Sequence, residues 1–172
     1  GNLGSAQDIR TLMNAVLLLK EHQEINWIFV GDGSEKNYIE KFVTTNNINT
    51  VTLTGKRPFN EIPYFLAHAD IMLLTLRAQY PHLRAVVPAR LQSYMSASKA
   101  VFGMVDGGSV KIITQSKCGI CAKAGDYETL ASNILYAYEH QDQLRDMGHN
   151  GRIFYETHFT MKKCLDDLET II

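Results

Sequence analysis

Three short segments of this sequence have the residue types of an anion cradle: Gly1-Asn2-Leu3-Gly4, Gly31-Asp32-Gly33 and Asp106-Gly107-Gly108-Ser109. Each precedes a stretch whose apolar residues recur at helical spacing, and the first turn of a helix presents backbone N–H groups that have no partner within the helix. Glycine lets such a backbone approach a ligand closely. Together the three turns point to a phosphate-bearing ligand. Charge for that ligand is available in the long connection from Thr75 to Val87, which carries Arg77, Tyr80, His82 and Arg84. Connections of that length in compact α/β units are often binding loops. Lys111, just beyond the third turn, is a further cationic candidate.

Cys118-Gly119-Ile120-Cys121 has the spacing of half a zinc site or of a redox pair. No second Cys/His pair at zinc-ribbon spacing accompanies it, and strand alternation would send the two side chains to opposite faces. They read as buried thiols, as does Cys164, and the absence of a disulfide framework suits a reducing compartment. Seventeen basic and 18 acidic residues give a formal charge of -1 without long runs of either sign, so nucleic acid is not an expected partner. No basic and apolar leader is present, and the apolar runs stop far short of the roughly 20 residues that cross a bilayer. A cytoplasmic domain is expected, with any membrane contact peripheral.

The elements that must position these turns alternate. Asp8 to His22 has helical spacing at Ile9, Leu12, Met13 and Val16, and Trp27 to Val30 is a continuous apolar strand ended by Gly31-Asp32-Gly33. Ser34 can cap a helix toward Val43, and Thr50 to Thr54 is a β-branched strand. Asn60 can cap a short helix through Leu66, followed by a strand over Asp70 to Leu74. Pro88 suits the first turn of a helix through Leu91 and Met95, and strands follow at Ala100 to Val105 and Gly119 to Ala122. The remainder, Tyr127 to Ile172, reads as helices broken near Gly148 and Gly151, with a final one from about Thr160. At 172 residues and 45% hydrophobic content, the chain is expected to form one domain over residues 1–172, with a parallel sheet covered by helices on both faces. Such sheets bind ligands beyond the carboxyl ends of their strands.

The ordered series Gly1-Asn2-Leu3-Gly4, Trp27 to Gly33, Ala69 to Leu74, Pro88-Ala89-Arg90-Leu91, Tyr94-Met95, Gly125-Asp126 and Met147 to Arg152 resembles the C-terminal domain of retaining glycosyltransferases built from two Rossmann-like domains, the GT-B type. It most resembles bacterial enzymes that add sugars to cell-surface polysaccharides. The resemblance implies binding of a nucleoside-diphosphate sugar as donor substrate, with no cofactor and no essential protein-bound metal. It also implies an N-terminal acceptor-binding domain as partner and a lipid-linked or membrane-peripheral acceptor. The donor contacts it implies fall on Gly1, Asn2, Gly4, Gly31, Gly33, Arg57, Arg90, Ser93, Asp106, Gly107 and Gly108. Arg90 stands where a similar Pro-Ser-Lys segment has lysine, so it is the expected diphosphate anchor; Arg84 and Lys111 are weaker candidates.

The sequence also departs from the family pattern. Ser93 stands where a ribose-binding glutamate is expected, Ala85 eight positions earlier is not acidic, and Asp106-Gly107-Gly108 replaces an Asp-Gly-Glu segment. Serine can hydrogen-bond ribose but offers no bidentate carboxylate. The strand that normally precedes the first glycine loop has no counterpart, so the expected fold lacks its first strand and leaves sheet edges to be covered by rearrangement or by another chain. Two further readings stand beside a donor domain. One is a noncatalytic interaction domain that kept the fold; the other, a dinucleotide-dependent oxidoreductase, lacks a Gly-x-Gly-x-x-Gly fingerprint followed by a ribose-binding acid.

Overall fold

In the computed structural model, which describes residues 1–77 and 87–169, parallel strands alternate with helices. The strands are β1 (Trp27–Val30), β2 (Val51–Gly55), β3 (Ile71–Thr75), β4 (Ala100–Met104) and β5 (Gly119–Ala122). The helices are α1 (Ile9–Leu18), α2 (Lys36–Thr45), α3 (Ile62–His68), α4 (Ala89–Ser96), α5 (Gly108–Ser116), α6 (Tyr127–Glu139), α7 (Gln141–His158) and α8 (Met161–Glu169). Short 3₁₀ turns at Ser5–Gln7 and Phe59–Glu61 were not foreseen from the sequence. β1 pairs with β2, β3 with β4 and β4 with β5, each in parallel, as the alternation of elements predicts.

β4 shows why its sequence is apolar throughout. Ala100, Phe102 and Met104 enter a core shared with Leu12, Met13 and Val16 of α1 and Leu130 and Ile134 of α6. Val101, with Val105 just beyond the strand, enters a second core with Leu91 and Met95 of α4 and Ile113 of α5. Alternating residues of one strand thus serve opposite layers, and neither face is left for polar residues. On α1 the residues Ile9, Leu12, Met13 and Val16 form the buried stripe that docks on α6.

Several local expectations are corrected. Helix α7 runs unbroken through Gly148 and Gly151, and the break in the tail falls at His140. A Cβ on Gly148 would lie 2.1 Å from the Ser98 carbonyl oxygen, and one on Gly151 would lie 2.9 Å from the Cys118 Cβ. These glycines permit close approach of α7 to the body of the domain, and helix length and packing outweigh a propensity cost of about 1 kcal/mol each. Ser34 is not the cap of α2, which has Glu35 at that position without a side-chain cap bond. Asn60 lies inside the 3₁₀ turn that leads into α3, whose cap position is Glu61. The last correction concerns the thiols. Cys118 precedes β5 and so escapes its alternation, and both Cys118 and Cys121 pack with the second core. Cys118 is buried and Cys121 half-buried, and desolvation raises both thiols, Cys121 to about 11. The side chain of Cys164 lies outside the described residues.

The sheet is divided. One part has the order β1-β2 and the other β3-β4-β5. Residues of β1 and β3 line a cleft of about 670 Å³ between the two parts.

Candidate functional site

Residues 1–7 cross the carboxyl end of that cleft. The Gly1 nitrogen donates to the Val30 carbonyl, Asn2 forms a parallel bridge with Asp32, and the Leu3 N–H donates to Asp32 O at 2.9 Å while Glu35 N–H donates to Leu3 O at 2.9 Å. This approach depends on Gly31, with φ +139°, because a Cβ there would sit 1.7 Å from the Gly1 carbonyl oxygen. The first and second glycine turns are therefore one structure.

On its other side the same segment is tied to β3. The Arg77 N–H donates to Ala6 O at 3.1 Å, and Thr75 Oγ1 donates to Gln7 O at 2.5 Å. Arg77 Nε lies 3.5 Å from Asp8 Oδ1, which also accepts from Thr11 Oγ1 at 2.9 Å. Asp8 is buried in a left-handed conformation, φ 49°, at the start of α1. Arg10 Nε donates to the buried Glu35 carboxylate at 2.9 Å, which raises the guanidinium further above its ordinary range. These side chains hold the loop in place and leave it facing the ligand side of the sheet.

Arg90 lies at the start of α4, half-buried, with a guanidinium nitrogen 4.0 Å from where a Cβ on Gly1 would stand. It lines the cleft together with Gly1, Asn2 and Ser93. Ser93 is exposed one turn along, its hydroxyl donating to Ala89 O at 3.3 Å. Gly4 belongs to the loop, but its N–H is taken by Gln7 Oε1 at 3.1 Å. The Gly33 N–H is likewise taken, by Asp32 Oδ1 at 2.9 Å.

The third turn lies at the carboxyl end of β4. Gly107, φ +72°, precedes α5, which opens at Gly108. Asp106 accepts from the Ala124 N–H at 3.4 Å. Ser109 is buried at the first turn of α5, with its hydroxyl lacking a hydrogen-bond partner. Arg57 follows β2, and its guanidinium lies 3.8 Å from Glu61 in an exposed i,i+4 pair. Lys111 is exposed on α5. Arg84, with Tyr80, His82 and Ala85, lies outside the described residues. The structure thus brings Gly1, Asn2, Gly4, Gly31, Gly33, Arg90 and Ser93 together, whereas Arg57 is engaged on the surface.

Sequence reading missed the scaffold behind the loop, Asp8, Arg10, Gln7, Thr75 and Glu35. Their ion pairs and hydrogen bonds join residues as distant in sequence as Gln7 and Thr75 or Asp8 and Arg77, and no local spacing announces such pairs. Arg77 was noticed as a possible ligand contact, but its charge is directed to Asp8. Among the described residues no group of three or more His, Cys, Asp or Glu side chains is placed to hold a metal ion.

Parallel strands alternating with helices, with glycine-lined loops and a helix-start arginine at the strands' carboxyl ends, define a Rossmann-like α/β domain. Residues 1–154 match the family model described as glycosyl transferases group 1, and the chain belongs to that family. It is 26% identical over 142 residues to the uncharacterized glycosyltransferase MJ1178 of Methanocaldococcus jannaschii, covering 83% of this chain and 38% of that protein. It is also 26% identical over 136 residues to the probable glycosyltransferase WbjE of Pseudomonas aeruginosa, covering 78% of this chain and 33% of that one. The chain therefore spans little more than a third of the length of these relatives. Among solved structures, Anabaena Alr3699/HepE in complex with UDP superposes with a TM-score of 0.83 at 20% identity, over 99% of this chain and 46% of that one. The C-terminal domain of the group 1 glycosyl transferase LpcC of Francisella tularensis gives 0.77 at 14% identity, over 94% of this chain and 85% of that one. These likenesses establish the fold as one Rossmann-like half of the GT-B type.

Proposed function

We propose that this chain is the donor-binding, C-terminal half of a retaining glycosyltransferase and holds the nucleoside diphosphate of a nucleotide-sugar at the carboxyl ends of its strands. The observation that carries the reading is the convergence of Arg90 with the interlocked loops Gly1–Gly4 and Gly31–Gly33. The complex of HepE with UDP supports a nucleotide as ligand, and the extent of the LpcC match supports the C-terminal half.

In the transfer, the bond from the sugar's anomeric carbon to the diphosphate oxygen breaks, one to the acceptor oxygen forms on the same face, and the acceptor hydroxyl's proton passes to the departing diphosphate. Negative charge grows on the departing diphosphate. In this reading Arg90 and the N–H groups opening α5 stabilise that charge, because oriented donors strengthen as the anion develops. Asn2, Ser93, Asp106 and Gly107 complete the proposed donor contacts, and Arg57 would join them only by leaving Glu61. The acceptor side belongs to an N-terminal partner domain, with a lipid-linked acceptor at the inner face of the membrane and a role in bacterial surface polysaccharide synthesis. No described helix is long and apolar enough to cross a membrane.

The test is calorimetric titration with uridine and guanosine diphosphates beside the matching nucleosides. A donor site binds at least one diphosphate more tightly than its nucleoside. The second reading, a noncatalytic interaction domain, draws on Ser93, whose hydroxyl is turned to its own helix, and on the glycine at position 108. Absence of binding to every diphosphate would select it.

A further inference from the structure

We propose that Asp8 is a positioning residue for the diphosphate: its carboxylate, set on Arg77, fixes the spacing between the Gly1–Gly4 loop and Arg90. The inference rests on the donor reading above and adds to it a residue outside the donor contacts.

The backbone at position 8 does not account for an aspartate. Asp8 joins the 3₁₀ turn Ser5–Gln7 to α1 with φ +49° and ψ +40°, a left-handed conformation that glycine adopts freely and other residues adopt at a cost. Capping does not account for it either. An aspartate at a helix N-cap ordinarily accepts an N–H of the first turn, and Asp8 makes no such bond. Its carboxylate is buried, accepts from the Thr11 hydroxyl at 2.9 Å and faces Arg77 Nε at 3.5 Å. A buried carboxylate is costly unless an opposite charge answers it, so the contact with Arg77 is what this side chain serves.

Arg77 joins Asp8 to the other half of the site. Leu74 and Leu76, which lead into Arg77, share the second core with Leu91 and Met95 of α4, and α4 carries Arg90. Asp8 closes the segment whose Gly1 bonds Val30 and whose Leu3 bonds Asp32 and Glu35. The loop and Arg90 thus hang on different parts of the divided sheet. Thr75 Oγ1 to Gln7 O, Arg77 N–H to Ala6 O and the Asp8–Arg77 pair span the two. The first two end on main-chain carbonyls, and the pair is the charged member of the set. A diphosphate held by Arg90 and the loop at once needs both at one distance, whereas a nucleoside, having no phosphate, does not. Without the pair the ligand must itself impose that distance, which lowers affinity.

The test compares Asp8→Gly, Arg77→Met, Arg77→Lys and the double variant Asp8→Gly/Arg77→Met in the 172-residue chain. Glycine suits the backbone at position 8, so Asp8→Gly is expected to melt close to the parent. It should weaken uridine or guanosine diphosphate, whichever the parent binds, about tenfold and the matching nucleoside less than about twofold. Arg77→Met should match it, Arg77→Lys should keep most of the affinity, and the double variant should lose no more than either single one. Without ligand, amide exchange at Arg77 should speed about tenfold in Asp8→Gly, while Leu3, bonded to Asp32, and Val101, bonded to Cys118, keep their rates. Equal losses for diphosphate and nucleoside, additive losses in the double variant, or an unchanged Arg77 exchange rate overturns the role of Asp8. Should Asp8→Gly not fold, Asp8→Asn, which also accepts a left-handed backbone and leaves Arg77 without a charged partner, must give the same pattern. A parent that binds no diphosphate rejects the donor reading and with it the ligand role of Asp8, while faster Arg77 exchange in Asp8→Gly would still uphold the tether.

Discussion

Arg90 carries the sharpest expectation at the scale of a residue. It follows Pro88 at the start of α4 and lies beside Gly1, where a charge-assisted hydrogen bond to a phosphate oxygen is worth roughly 1.5–3 kcal/mol before solvent screening. Arg90→Ala is expected to weaken diphosphate binding by that order and nucleoside binding far less. Calorimetry on both ligands, with circular dichroism to confirm folding, makes the comparison; equal losses would remove Arg90 from the phosphate. Asp126 offers a pH test. It caps α6 by accepting from the Thr129 N–H at 3.0 Å and hydroxyl at 2.7 Å, and these bonds hold its carboxyl below the usual value of 3.8. A folded-state value below the unfolded one contributes stability above about pH 3.8 and loses it as pH falls through the lowered value. The thermal midpoints of the parent and Asp126→Ala should therefore differ most near neutrality and converge as pH falls below 3.8 through the lowered value; a gap that persists unchanged in acid would show that the carboxylate charge is not the source.

Elements were legible where one local rule fixed them. The apolar runs Trp27–Val30 and Gly119–Ala122 are strands with the boundaries their composition indicates, and the stripe of Ile9, Leu12, Met13 and Val16 is the buried face of α1. The tail was misread because a glycine means a break only when the backbone needs it. In α7 the glycines serve contact with Ser98 and Cys118 from other elements, which sequence spacing does not show. Gly148→Ala should raise helix propensity yet destabilise the protein by about 1–3 kcal/mol, since the new methyl meets the Ser98 carbonyl oxygen. Chemical denaturation measures it, and a neutral or stabilising outcome would mean that α7 can shift outward freely. For the site, the glycine turns and Arg90 were visible in the sequence, while the Arg77–Asp8 and Arg10–Glu35 pairs that anchor the loop were not.

At the scale of the whole molecule, the proposed chemistry needs two reactants, and the proposed site on this chain serves the donor. Purified alone and given nucleotide-sugars with lipid-linked acceptors, it is expected to bind donor without multiple-turnover transfer. Sustained transfer by these residues alone would require an acceptor site within the same domain and would reject the division of labour. The divided sheet has its own signature. The β1-β2 and β3-β4-β5 parts share α1 and α6 through one core, so unfolding should remain a single transition even though the sheet is not continuous; two resolved calorimetric transitions would contradict that sharing.

Residues 1–7 bond β1 on one side and the end of β3 on the other, while Arg90 stands on a helix anchored to the β3-β4-β5 part. A diphosphate gripped by both would act as a clasp across the split. Ligand at a hundred times its Kd would then add about 2.7 kcal/mol of stability, and any loosening of the cleft would lower apparent affinity in proportion to the closed fraction. Closing the cleft and holding the ligand become reciprocal: whatever factor one lends to the other is returned in full, so affinity at the mouth reports on order deep in the sheet.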